Sequence, residues 1–150
     1  ALIVCPGCAC ESLAYYKSLP NRLISSEGKD MEQSAVAVCL ESDRLMKMLE
    51  SKGISVERCL VAFPCEMFAS EREHIRKVAE GKDVVLVLAC AGGFVGVRDV
   101  LVESDIKIVP LMKSMGTFVL YLVPDENGVH SVVDKEKSKI VRFKQLKKEE

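Results

Sequence analysis

The chain opens on an unbroken apolar run, Ala1-Leu2-Ile3-Val4, followed by Cys5 and the turn pair Pro6-Gly7. A run this short, stopped by such a pair, predicts a buried strand. Residues 11–26 alternate less cleanly. There Leu13, Tyr16 and Leu19 or Pro20 suit one short helix before Asn21, and Leu23-Ile24 a brief extended piece. From about residue 31 to 52 the apolar positions Ala35, Val38, Cys39, Leu45, Met46 and Leu49 recur at helical spacing, and Gly53 supplies the stop. Residues 54–64 read as a second strand, and residues 66–80 as an exposed helix closed by Gly81. Residues 83–89 are almost continuously apolar, which predicts a central strand buried on both faces. Gly92-Gly93 turns the chain into a short helix through Phe94, Val97 and Leu101, and residues 106–111 make a fourth strand.

Strands separated by helical stretches imply right-handed crossovers and a parallel sheet. Beyond residue 112 the pattern changes to three short strands, at 117–123, 129–133 and 140–146, joined by turns at 125–128 and 134–139. Connections this short favour antiparallel hairpins. The expected fold is therefore α/β: a Rossmann-like parallel sheet with helices on both faces over about residues 1–112. A small C-terminal antiparallel extension over about 113–150 completes one domain. Neither an internal repeat nor a low-complexity linker interrupts it.

Composition narrows the setting. A chain of 150 residues buries a core without covalent staples, so its seven cysteines are not needed to hold a small fold together. Their odd number, and an N-terminus that begins on a strand-like run with no basic segment before it, lead us to expect a reducing cytoplasm. The longest uncharged stretch, residues 84–97, is too short to cross a bilayer, so no membrane partner is expected. Net charge is only −1, but Lys135, Lys137, Lys139, Arg142, Lys144, Lys147 and Lys148 crowd the C-terminal end. We read them as guarding an exposed edge strand. Tryptophan is absent and no aromatic residues interleave the lysines for base stacking, so no nucleic-acid partner is expected.

The cysteines carry the chemistry. Cys5, Cys65 and Cys90 each follow an apolar run of strand length, and in a parallel sheet all carboxyl ends lie on one edge. Cys8, in the loop after the first strand, reaches the same place and forms a C-x2-C pair with Cys5. Four thiolates suit either tetrahedral zinc or an iron-sulfur cluster. Structural zinc usually draws on two close C-x2-C knuckles, and only one is present, so the spread ligand set points to a cluster of 4Fe-4S type. Thiols ringed by helix N-termini are expected to have depressed pKa values. Cys39 falls on a helical apolar stripe and Cys59 within a strand, where each is a small core residue. Cys10 stands open as a fifth thiol, a substitute ligand or a helix-start residue.

Gly92 and Gly93 are the cofactor-binding candidates. Ala91-Gly92-Gly93-Phe94-Val95-Gly96 partly matches a dinucleotide fingerprint, but no acidic residue stands about 20 positions on, where Gly116 lies. The favoured reading is that these glycines let the backbone approach the cysteines and donate amides to cluster sulfurs. His74 in a charged helix and His130 in a hairpin are surface residues. No Ser-His-Asp grouping, HExxH or P-loop occurs, so any catalysis would rest on cysteine or a bound cofactor.

These pieces taken together, Cys5-x2-Cys8-Ala9, Lys52-Gly53, the approach to Cys65, the run from Val85 through Cys90 to Gly93, and Ile108-Val109-Pro110, resemble a known module. It is the cysteine-rich partner subunit or domain associated with methylenetetrahydrofolate reductase in anaerobic one-carbon metabolism. The resemblance implies a non-catalytic metal or iron-sulfur module of an oxidoreductase, working beside a larger, flavin-dependent subunit, with Cys5, Cys8, Cys65 and Cys90 as ligands. The chain departs from that pattern in having Cys-Ala-Gly-Gly where the family has Cys-Gly-Ala-Gly, and in lacking a second cluster-binding segment. Two other classes stay open. One is a thiol redox or sulfur-transfer enzyme in which Cys5 or Cys8 attacks and Cys10, Cys65 or Cys90 resolves. The other is a structural zinc domain.

Overall fold

A computed structural model describes residues 1–23 and 35–143. The extended piece at Ile24, the first residues of the helix expected from 31, the end of the strand expected to reach 146, and Lys144, Lys147 and Lys148 lie outside them. The elements are β1 (Leu2–Val4), α1 (Cys8–Lys17), α2 (Val36–Glu50), β2 (Arg58–Leu60), α3 (Ala69–Ala79), β3 (Val84–Leu88), α4 (Ala91–Val100), β4 (Lys107–Pro110), β5 (Gly116–Pro124) and β6 (Ser131–Arg142).

Four parallel strands form one sheet in the order β2-β1-β3-β4. The chain steps from β1 to one side for β2, then crosses back over β1 for β3 and on to β4. Crossovers of one hand that reverse direction put their helices on opposite faces. α1 accordingly packs with α2, and α3 with α4. Each helix buries a stripe at helical spacing: Ala9, Cys10, Leu13 and Ala14 in α1, Ala37, Val38, Glu41 and Ser42 in α2, Ile75, Val78 and Ala79 in α3, and Gly93, Val97 and Val100 in α4. All three residues of β1 are fully buried, so β1 shares with β3 the central place that the apolar pattern assigned to β3 alone.

The second strand is much shorter than the apolar run 54–64 suggests. β2 stops at Leu60, and residues 61–66 form a loop that crosses the carboxyl edge. Pro64 has no amide to donate to a ladder, and Phe63 takes a left-handed backbone conformation (φ 49°), so the chain leaves the sheet there.

β5 and β6 form a separate two-stranded antiparallel sheet. Three short strands were expected, and two are found. Asp134 pairs with Tyr121 and Lys139 with Val119, so both halves of β6 pair with β5, and residues 135–138 bulge out between them. The Asp134 carboxylate accepts the amides of Glu136 and Lys137, satisfying the backbone groups that the bulge takes from the ladder. The hairpin is tied to the core through Asn21 N–H on the Ser131 carbonyl, Ser131 N–H on the Arg22 carbonyl, and a bridge between Leu23 and His130. No helix among the described residues is long and apolar enough to cross a membrane.

Candidate metal centre

The register sets the height of the site. Val4 lies level with Leu60 on one side and Leu88 on the other, and the Cys5 amide donates to the Leu88 carbonyl. Cys5 is therefore the first residue past β1, and Cys90, two past β3, stands beside it. The chain diverges to opposite sides of the sheet between these two strands, and such a switch point leaves a crevice at the carboxyl edge. Cys8 is not in a loop, as its spacing suggested. It is the first residue of α1, with Gly7 before it, while Cys90 takes the cap position of α4.

Cys65 comes to the same edge from the loop rather than directly from a strand, and α4 receives it. A Cβ on Gly93 would lie 2.9 Å from Pro64 Cγ and 2.8 Å from the Ala89 Cβ, and one on Gly96 would collide with the Pro64 carbonyl. The bare face of α4 thus seats Pro64. At Gly92 a Cβ would stand 3.5 Å from the Cys65 Cβ and 3.9 Å from Cys90 Sγ, so the two cysteines flank that glycine. Of the two glycines expected to let the backbone approach the thiols, Gly92 lies beside them, whereas Gly93 makes room for Pro64.

Gly96 was not among the expected site residues, although its spacing of three and four from Gly93 and Gly92 puts all three on adjoining turns of one helix. Arg22 and Phe63 were also missed. The Arg22 guanidinium donates to the Pro6 carbonyl at 3.3 Å, holding the turn between Cys5 and Cys8. The Phe63 ring lies within 3.5 Å of where a Gly7 Cβ would be, against the same turn.

The thiols also influence one another electrostatically. Burial pushes the Cys5 thiol up to about 11, and the neighbouring charges of Cys90 and Cys8 add to the shift, although amides of Gly7 and Ala9 donate to its sulfur. Cys8 is also raised, by burial first and then by Cys90, Glu11 and Cys65. The depressed values expected from helix N-termini are thus not found at these two residues. Loss of solvent and repulsion among thiolates outweigh the dipoles. As free thiols near neutral pH, Cys5 and Cys8 are weak nucleophiles. A bound cation reverses that balance, because each thiolate then faces positive charge.

The remaining cysteines are turned elsewhere. Cys10 is fully buried on α1, and its thiol donates to the backbone carbonyl and side-chain oxygen of Asn21 at 3.3 and 3.4 Å. Cys59 lies in the middle of β2 and is buried, and Cys39 is half-buried on α2. Cys5 is buried, Cys90 half-buried, and Cys8 and Cys65 are exposed, so the group has a closed base and an open rim.

Four thiolates with amides donating to one of them are a donor set suited to an iron-sulfur cluster. For one tetrahedral zinc, a Zn–S length of about 2.3 Å would require sulfurs about 3.8 Å apart. Among the described residues no three metal-binding side chains are grouped closely enough to hold a single ion. Comparison with family models, with curated protein sequences and with solved structures finds no match to this chain.

Proposed function

We propose that this chain is an accessory electron-transfer module that carries one iron-sulfur cluster, of 4Fe-4S type, on Cys5, Cys8, Cys65 and Cys90. The observation that carries the reading is that these four cysteines all lie along the switch-point edge, whereas Cys10, Cys39 and Cys59 lie on other parts of the core. Bound there, the cluster would supply one-electron transfer.

The chain's own residues do the rest. Cys5 anchors the base from within the core, and the Gly7 and Ala9 amides stabilise its thiolate. Cys8 and Cys90 stand at the N-terminal ends of α1 and α4, where the helix dipoles favour negative charge. Cys8 and Cys65 bring the rim to the surface, where a larger, flavin-dependent redox subunit could come close enough to exchange an electron.

The test is iron and sulfide analysis, with visible spectroscopy, of protein prepared without oxygen. A brown protein bleached by dithionite is expected. A colourless preparation with stoichiometric zinc would overturn the cluster in favour of a structural zinc domain. Metal-free protein whose Cys8 is alkylated rapidly near neutral pH would instead move the reading to thiol chemistry.

A further inference from the structure

The hairpin had no role in the expectations drawn from sequence, and the space beneath it suggests one. A cavity of about 280 Å³ lies between the parallel core and the hairpin, and both Cys8 and Cys90 form part of its wall. Its floor is the side of α1 that carries Leu13 and Tyr16. Its roof is Phe118 of β5 with Ile140 of β6, and the connection from β4, residues 112–116, closes the side. Cys65 is not among the lining residues. The pocket therefore runs from two of the four thiols away beneath the hairpin.

The lining defines a ligand class. The walls are mostly apolar, and Met112 and Met115 supply adaptable, polarisable surface of the kind that accepts flat rings. No carboxylate lines the space, whereas two lysines do. Lys17 is held by Glu41 at 2.6 Å, and Lys113 has no ion pair among the described residues. An apolar body that carries a negative group would fill the apolar walls and meet the exposed ammonium of Lys113 at the cavity's edge. A volume at the small end of ligand pockets limits that body to one or two fused rings.

We infer that the C-terminal hairpin and the 112–116 connection roof a binding site for a small aromatic carboxylate or similar organic anion, held against Cys8 and Cys90. The ring system lies between Leu13 and Phe118, and its anionic group faces Lys113. Any part the ligand plays in electron transfer rests on the cluster reading, but its binding does not.

The probe is 2-naphthoate, titrated into the full chain as purified and followed by its fluorescence anisotropy, with iron measured in the same samples. Saturable binding is expected. Ser114→Trp, which fills the side wall from an exposed position, should weaken it at least tenfold. Lys113→Ala should weaken it about fivefold at low salt and less at high salt. Val119→Ser, on the exposed face of the hairpin, should leave it unchanged. Neutral 2-naphthylmethanol should be indifferent to Lys113→Ala. Absence of saturable binding overturns the inference, as does binding lost with Val119→Ser and kept with Ser114→Trp. A chain without metal that still shows the expected pattern overturns the cluster and leaves the pocket standing. A brown chain that fails to bind naphthoate does the reverse.

Discussion

A methyl group at residue 96 would collide with the Pro64 carbonyl, so Gly96→Ala must push the 61–66 loop off α4 and carry Cys65 with it. The expected result is a loss of about 1–3 kcal/mol in stability and a fall in iron content with every cysteine still present. Chemical denaturation with iron analysis checks both, and full iron in the variant would show that Cys65 is not held by this contact. Serine at Cys5, Cys8, Cys65 or Cys90 should each lower iron content, while Cys39→Ser and Cys59→Ser should keep it. The metal-free protein offers a pH test. Folding raises the Cys5 thiol from 9.0 to about 11, so the native state holds that proton more tightly than the unfolded chain does. Its stabilising effect is complete below about pH 9 and declines as pH climbs toward 11, and alkylation of Cys5 should quicken about tenfold per pH unit over that range. Mass-spectrometric mapping of the alkylated thiols reads the rate, and a rate already flat at pH 9 would contradict the environment described.

Among the elements, α1 carries the most. It presents Cys8, buries Cys10 and lines the cavity, so its seating on α2 matters to everything at the edge. Glu41 of α2 is buried and accepts from Lys17 of α1 at 2.6 Å and from Arg44 in a two-pronged contact at 2.7 and 3.1 Å. Those bonds, Arg44 foremost, hold the Glu41 carboxyl below its ordinary value of 4.5, against the opposing effect of burial. A depressed carboxyl stabilises the fold fully above pH 4.5 and ceases to do so as pH falls through the folded value. Glu41→Gln should therefore cost about 1–2 kcal/mol at pH 7, and the gap from the parent should close as the pH drops below 4.5. Denaturant melts across that range measure it, and an equal gap at pH 3 would exclude the ionic origin. The apolar run leading to Cys65 shows what pattern leaves out at this scale. Phe63 and Pro64 are apolar, yet they pack against the Gly7 turn and α4 rather than extend β2, whose last ladder bond is the Val61 amide on the Val4 carbonyl.

At the scale of the whole molecule, the parallel core and the hairpin differ in how their backbones are protected. Every residue of β1 is buried between helices, whereas β5 and β6 expose Val119, Tyr121, Leu122 and Val141. Hydrogen exchange should accordingly be slowest in β1 and β3 and much faster in β5 and β6. Protection in the hairpin equal to that of β1, measured on the isolated chain in dilute solution, would mean that its outer face is covered by a second copy. The hairpin reaches the core through the 21–23 segment and the 112–116 connection, and the cavity lies in the gap these two attachments leave.

The α/β class, the four parallel strands and the convergence of Cys5, Cys8 and Cys90 were legible along the chain because they depend on local periodicity and on one rule, that parallel strands share a carboxyl edge. Cys59 was legible for the same reason, since strand position is a local property, whereas Cys39, expected on the buried stripe of its helix, is only half-buried. Strand order could not be read, because β1 and β3 are both apolar runs and only their hydrogen bonding tells which neighbours each takes. The path of residues 61–66 was likewise decided in three dimensions, where Pro64 meets the bare face of α4 at Gly93 and Gly96. So were the raised thiol pKa values, which come from burial and from neighbours distant in sequence. The pairing of both halves of β6 with β5, and the space it roofs beside Cys8 and Cys90, are contacts between distant segments that no local pattern encodes.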